Sequence, residues 1–139
     1  MSLQYQIVKN WPTEPIVALY ESAGWWRESA AARATIAPMI TGSFCFMVVT
    51  DGETTVAMGR VLSDGVSDAY VQDVVVLPNY HGRGIGGEVI SVLTQHCMKH
   101  GIAWIGLVAE PGTVSFYESS GYQVMQGFVP MRFPTSEQP

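Results

Sequence analysis

The stretch "VVVLPNYHGRGIGGEVI", residues 74–90, constrains the fold more tightly than any other part of the chain. A β-branched run ends at Pro78, and a glycine cluster follows at Gly82, Gly84, Gly86 and Gly87. Beyond it, Ile85, Val89, Val92, Leu93 and His96 recur on one helical stripe. This is the pattern of a strand, a tight loop and a helix that opens on glycine. Free backbone N–H groups and the positive end of the helix dipole make such a helix start an anion site. The glycines therefore raise the question of which phosphate they hold, if any.

Three phosphate readings and one bland reading compete. A P-loop needs Gly-Lys-Ser/Thr, and the chain has Gly86-Gly87-Glu88, which excludes it. Residues 82–87 satisfy G-x-G-x-x-G, and Glu110 ends the next predicted strand about 20 residues on, where a dinucleotide site has its ribose-binding acid. In that fold, however, the glycine turn follows its strand directly, whereas Pro78-Asn79-Tyr80-His81 intervene here. Too little chain follows Glu110 for further βα units, so a dinucleotide oxidoreductase is the outsider. The bland reading is that the glycines serve packing alone.

Elsewhere the chain punctuates itself clearly. Residues 5–9 are a strand candidate, 15–23 a helix from Pro15 to a stop at Gly24, and 28–39 an alanine-rich helix. "FCFMVVT" and "TTVAMGRVLS" around Asp51-Gly52 predict a hairpin. A continuous apolar strand is predicted over 69–77, a helix over 84–100, a buried strand over 103–109 and a short helix over 113–120. Late strand candidates lie at 122–129 and 131–133, and the polar end from 134 to 139 is expected to fray. The order β-α-α-β-β-β-α-β-α-β, with one further strand at most, implies a mixed α/β sheet with helices on both faces.

With 139 residues, 47% of them hydrophobic, the chain fits a single domain spanning 1–139. A net charge of −5, with only 7 Lys and Arg, argues against a nucleic-acid partner. No apolar run approaches a membrane span, and no signal-peptide pattern opens the chain, so a cytoplasmic location follows by default. Cys45 and Cys97 read as buried free thiols. His96 and His100 stand one helical turn apart without a third ligand nearby, and no metal is expected.

The glycine stretch resembles the acetyl-CoA motif of the Gcn5-related N-acetyltransferases. That motif is a strand, a proline-containing loop and Arg/Gln-x-x-Gly-x-Gly/Ala at a helix start. His81-Gly82-Arg83-Gly84-Ile85-Gly86 falls on it, with His81 where the family usually has Arg or Gln. "EPGTVSFYESSGY", residues 110–122, resembles the family's later motif, Asn-x-x-Ala-x-x-aromatic-Tyr-Glu-x-x-Gly-Phe. Glu110 stands for its Asn and Thr113 for its Ala, while Phe116-Tyr117-Glu118 and Gly121-Tyr122 follow it closely.

The resemblance implies a mostly antiparallel sheet of six to seven strands and transfer of an acetyl group from acetyl-CoA to a primary amine. It implies that the backbone of Gly82, Arg83, Gly84, Ile85, Gly86 and Gly87 cradles the pyrophosphate. By the same resemblance Val74, Val75 and Val76 pair with the pantetheine arm, and Tyr117 protonates the departing thiolate. The base is left open between Asp73, Glu110 and a water relay. Tyr70 and Gln72 occupy the usual base positions without suitable side chains, and Asp73 alternates to the other face unless a bulge re-aims it. Trp25, with Trp26, Glu21 and Glu28, is the candidate acceptor wall for a small-molecule amine. A non-catalytic acyl-CoA sensor is the alternative function, and a homodimer is left open.

Overall fold

The computed structural model describes residues 2–135, in two compact units that divide after Leu107. The first unit runs β1 (Leu3–Ile7), α1 (Thr13–Ser22), α2 (Ala30–Gly42), β2 (Cys45–Asp51), β3 (Thr54–Ser63) and β4 (Asp68–Val76). A 3₁₀ turn at Pro78–Tyr80 then leads into α3 (Ile85–Lys99) and β5 (Trp104–Gly106). The five strands lie side by side in chain order; β1 to β4 pair antiparallel and β4 pairs with β5 in parallel. A parallel pair requires a crossover, and α3 supplies it.

Local chemistry accounts for the boundaries. Gly52, at φ 60°, turns the β2–β3 hairpin at the predicted Asp51-Gly52 pair. Ser29 caps α2, its hydroxyl oxygen accepting from the Ala32 N–H at 2.9 Å. That helix continues past Pro38 to Gly42, farther than its proline suggested, and carries Ile40 into the core. Of the tail expected to fray, residues 136–139 lie outside the described residues.

Helices cover the sheet on both faces. On one face Ile16, Val17, Leu19 and Tyr20 of α1 and Ile36 and Ile40 of α2 cluster with Phe46, Val48, Met58 and Val75. On the other, α3 brings Val89 and Leu93 against Gly59. Since alternate strand residues point to opposite faces, this double cover explains why all of 45–50 in β2 is buried. Cys45 and Cys97 are buried free thiols, and burial pushes the Cys45 thiol up to about 11.

The second unit, described over 108–135, contains α4 (Val114–Glu118) and a series of turns. The late strands expected at 122–129 and 131–133 do not form, so the sheet has five strands among the described residues rather than the six or seven expected. Phe128, Met131 and Phe133 are 74%, 91% and 83% exposed, and no strand runs through them. Apolar composition without a paired neighbour does not make a strand. For the same reason β5 is shorter than the predicted 103–109, because β4 pairs with it only at residues 68–70.

Gly59 marks a tight joint between β3 and α3. A Cβ there would sit 2.8 Å from a Val89 methyl and 2.9 Å from a Leu93 methyl, and both side chains are fully buried. Overpacking of this kind costs about 1–3 kcal/mol, against about 0.5–1 kcal/mol regained by removing a glycine from a strand. Gly59→Ala is expected to lower the urea midpoint, and adding Val89→Ala should return part of the loss. An unchanged midpoint for Gly59→Ala would show that α3 is not packed this closely.

Candidate functional site

The β4 strand carries a β-bulge. Met58 pairs with Val75 and Arg60 with Gln72, so Asp73 and Val74 together oppose Gly59. Asp73 adopts φ 56°, the one positive φ among the described non-glycine residues. Beyond Tyr70, β4 also parts from β5, leaving its second edge without a strand partner among the described residues. The Leu77 N–H donates to the Val56 carbonyl at 2.8 Å, which makes Val76 and Ala57 a non-hydrogen-bonded pair. The peptide groups of Val76 therefore face the open edge. Its carbonyl accepts there from His81 Nε2 at 2.7 Å.

The loop that follows is braced from one side. The Tyr80 hydroxyl donates to Asp51 Oδ2 at 2.8 Å, and the Arg83 guanidinium lies 5.0 Å from the Tyr80 ring centroid. The backbone N–H of Ser2, then the Tyr80 hydroxyl, hold the Asp51 carboxyl below its usual range. Gly82 and Gly84 take φ 76° and 79°, a conformation that glycine adopts without strain. Apart from chain neighbours and the helix's own backbone, no atom lies within 4 Å of a Cβ built at Gly82, Gly84 or Gly87. Packing does not explain these glycines.

Gly84 is the N-cap of α3 and offers no side-chain acceptor. The Glu88 N–H closes the first helical bond, to the Gly84 carbonyl at 3.1 Å. The N–H groups of Ile85, Gly86 and Gly87 thus have no intrahelical acceptor, and they stand at the positive end of a helix of 15 residues. An open glycine loop, orphan donors and the Arg83 cation suit a phosphate group. The unpaired edge of β4 suits an extended amide chain.

On the α1 face, Asp73 is re-aimed by the bulge. Its Oδ2 accepts from the Tyr20 hydroxyl and from Arg60 Nε, both at 2.7 Å. Tyr20 stacks at 6.1 Å on Trp26 and tilts at 6.4 Å against Trp25, which is 39% exposed. Tyr70 and Trp104 form a second exposed aromatic pair, 5.2 Å apart. Of the expected acceptor acids, Glu28 is engaged: Arg33 and the Trp26 indole both donate to it and lower its pKa. It is a surface ion-pair partner rather than a free carboxylate.

In the second unit, Tyr117 lies half-buried on α4 with its ring 4.9 Å from Phe116 and 6.3 Å from Tyr122. Burial first, then the charge of Glu110, raises its phenol pKa, so the group is protonated at neutral pH. The Glu110 carbonyl accepts from both the N–H and the hydroxyl of Thr113, which fixes the turn into the helix. Among the described residues no group of three or more His, Cys, Asp or Glu side chains is gathered for a metal ion. None of their helices is long and apolar enough to cross a membrane.

The family model for "Acetyltransferase (GNAT) family" matches residues 6–122. The chain belongs to this family. GCN5-related N-acetyltransferase 1, chloroplastic, of Arabidopsis thaliana is 29% identical over 105 residues, which is 76% of this chain and 53% of the relative. Serotonin N-acetyltransferase 2, chloroplastic, of Oryza sativa subsp. japonica is 42% identical over 67 residues, 48% of this chain and 34% of the relative. The chain thus spans about half or less of these curated relatives. A GNAT family acetyltransferase of Streptococcus pneumoniae superposes with a TM-score of 0.81 at 24% identity, covering 98% of this chain and 100% of that one. A probable acetyltransferase of meticillin-resistant Staphylococcus aureus gives 0.82 at 19%, covering 96% and 99%. These likenesses fix the GNAT fold.

Sequence reasoning missed Tyr20 and Arg60 as partners of Asp73. Arg60 carried a signal, as a lone charge inside the apolar run of β3. Tyr20 carried none, because a buried stripe residue of α1 looks the same whether or not its hydroxyl has work to do. For Tyr117, phenolate absorbance in a pH titration of wild type minus Tyr117→Phe should show a group ionising above 10. Ionisation near neutrality would deprive Tyr117 of the proton that an acid must give.

Proposed function

We propose that the protein transfers an acetyl group from acetyl-CoA to a primary amine of a small molecule by direct attack in a ternary complex. The observation that carries this reading is the family match over residues 6–122, which runs through the open glycine loop. The relatives named as N-acetyltransferases support the reaction class, and the rice relative's name supports an amine acceptor. A cytoplasmic setting goes with this proposal.

Each part of the chain has a task in the reaction. Residues 82–87 and Arg83 hold the pyrophosphate, with N–H groups that have no competing acceptor within the helix. The open edge at Val74, Val75 and Val76 takes the pantetheine arm, with the His81 ring leaving the Val76 carbonyl as the arm arrives. An N–H of the same edge polarises the thioester carbonyl. The amine nitrogen bonds to that carbonyl carbon as the carbon–sulfur bond breaks. The amine's proton leaves to water or to Glu110, and the Tyr117 hydroxyl gives its proton to the sulfur. Trp25, Tyr70 and Trp104 supply the exposed aromatic wall against which the acceptor rests.

Two substitutions test the donor site and the acid separately. Gly84→Asn and Gly84→Asp both tolerate a positive φ better than other side chains, and they differ by one charge. Calorimetry should show acetyl-CoA affinity falling further for Asp than for Asn. Equal affinity in both would move the pyrophosphate elsewhere. Tyr117→Phe should lower kcat by ~10²–10⁴-fold with little change in the KM for acetyl-CoA, since the hydroxyl acts as charge develops on sulfur. Activity within about twofold of wild type, measured where chemistry limits the rate, would return Tyr117 to a packing role. Donor binding without coenzyme A release across an amine panel would favour the acyl-CoA sensor.

A further inference from the structure

The bulge in β4 is held by a polar cluster that the glycine and Tyr117 motifs leave unused. Asp73 sits at φ 56°, where a residue with a Cβ is strained, though Asp and Asn are the side chains that visit it most readily. Its Oδ2 receives two donors at 2.7 Å, the Tyr20 hydroxyl from α1 and Arg60 Nε from β3. The cluster is shielded: Tyr20 is 8% exposed, and the Arg60 and Asp73 side chains are 14% and 22% exposed. Tyr20 also contacts the Met39 sulfur at 3.1 Å, so its hydroxyl is fixed by α2 as well.

Two roles are open to such a carboxylate, and the geometry separates them. A general base presents a lone pair to the substrate and then carries the proton. Protonating Asp73 on either oxygen would leave Arg60 shielded from water without its counter-charge, and Oδ2 already accepts two bonds, one of them charge-assisted. Arg60 also cancels the charge that would draw an ammonium group. The cluster is well built for a different task. It ties α1 to the bulge, and the strand leaving the bulge presents Val76 to the open edge three residues later.

Taking the acetyl-CoA reading above as its basis, we infer that Tyr20, Asp73 and Arg60 form a positioning clamp. The clamp sets the path of the backbone at residues 74–76 from the α1 face and takes no part in proton transfer. Because both indoles of Trp25 and Trp26 lie against the Tyr20 ring, the clamp also joins the candidate acceptor wall to the donor-binding strand.

The test uses the full chain with Tyr20→Phe, Asp73→Asn and Asp73→Gly, each checked for folding by thermal melting. Tyr20→Phe keeps the ring contacts and removes the hydroxyl; Asp73→Asn keeps an acceptor; Asp73→Gly keeps the backbone conformation and removes the carboxylate. In the ligand-free protein, Tyr20→Phe should move the backbone amide resonances of Val74, Val75 and Val76. With acetyl-CoA and an accepted amine, it should lower kcat/KM by about tenfold, as expected for one lost bond to a charged group. Asp73→Asn should retain a tenth or more of kcat with the same limbs in its pH profile. Asp73→Gly should lose more, and adding Tyr20→Phe to it should cost nothing further, since the partner is already gone.

Unmoved valine amides, or kcat/KM within twofold of wild type in Tyr20→Phe, would overturn the clamp. So would a loss near a thousandfold in Asp73→Asn together with the disappearance of a pH limb, which is the signature of a base. If wild type neither binds acetyl-CoA nor acetylates any amine, the proposed function fails. The amide resonances still decide the clamp in that case, because they are read without ligand.

Discussion

Opposite Gly59, β4 spends two residues where β3 spends one, and much of the first unit's geometry follows from that mismatch. A bulge bends and twists its strand. The pairing of β4 with β5 is confined to residues 68–70, ahead of the bulge, and the strand beyond it has an open edge. Gly59 is what lets this happen under a close-packed helix. With no Cβ, it admits the Val89 and Leu93 methyls of α3 directly onto β3 at the level of the bulge. A left-handed Asp73 costs roughly 1–2 kcal/mol. Hydrogen bonds to a charged group contribute about 1.5–3 kcal/mol each, so the bonds from Tyr20 and Arg60 are enough to hold it there.

The glycine loop depends on the same helix at its other end. α3 is anchored by fully buried Val89, Ile90, Leu93 and Cys97, and Ile85 is nearly as deep. Each large apolar side chain among them contributes about 1.5–3 kcal/mol on burial. That packing fixes the helix start in space without any N-cap side chain, so the first-turn donors stay available. The chain's net charge of −5 works against an anionic ligand at long range, and exposed Glu88 lies in that first turn. Under the proposed function, attraction for the donor would come from short-range terms: oriented N–H groups, the helix dipole and Arg83, which Tyr80 and Asp51 hold beside the loop.

Periodicity made most of the fold legible. The Asp51-Gly52 hairpin, the β4 strand and the long helix were readable because turn chemistry and an apolar stripe are local properties, though β4 exposes Tyr70 and Gln72 where burial on both faces was expected. What was not readable depended on partners. The apolar residues around Phe128 and Met131 looked like strand residues, yet a strand exists only where another strand meets it. The bulge was equally hidden, because alternation in "YVQDVVV" places Asp73 opposite to Tyr70-side residues until one extra residue reverses its face. At the site, the glycines suggested an anion loop, and the open surroundings of Gly82, Gly84 and Gly87 remove the packing explanation for those positions. The engagement of Glu28 by Arg33 was not legible, since ion pairs between a loop and a helix leave no spacing rule in the sequence.

A fold superposing at TM-scores of 0.81 and 0.82 with only 24% and 19% identity calls for a physical reason. Under the proposed function the reason is that the donor is held almost wholly by main chain. Peptide N–H groups, a helix dipole and an unpaired strand edge are the same for any side chains that permit the backbone path. The demands on sequence then narrow to glycines at positive φ, a small residue opposite the bulge, and whatever secures the bulge itself. Here that last requirement falls to Tyr20, Asp73 and Arg60, three side chains drawn from three elements. Side chains facing the acceptor are free of the donor's constraints. Under the same proposal, the exposed Trp25, Tyr70 and Trp104 are the side chains that would set this chain's choice of amine.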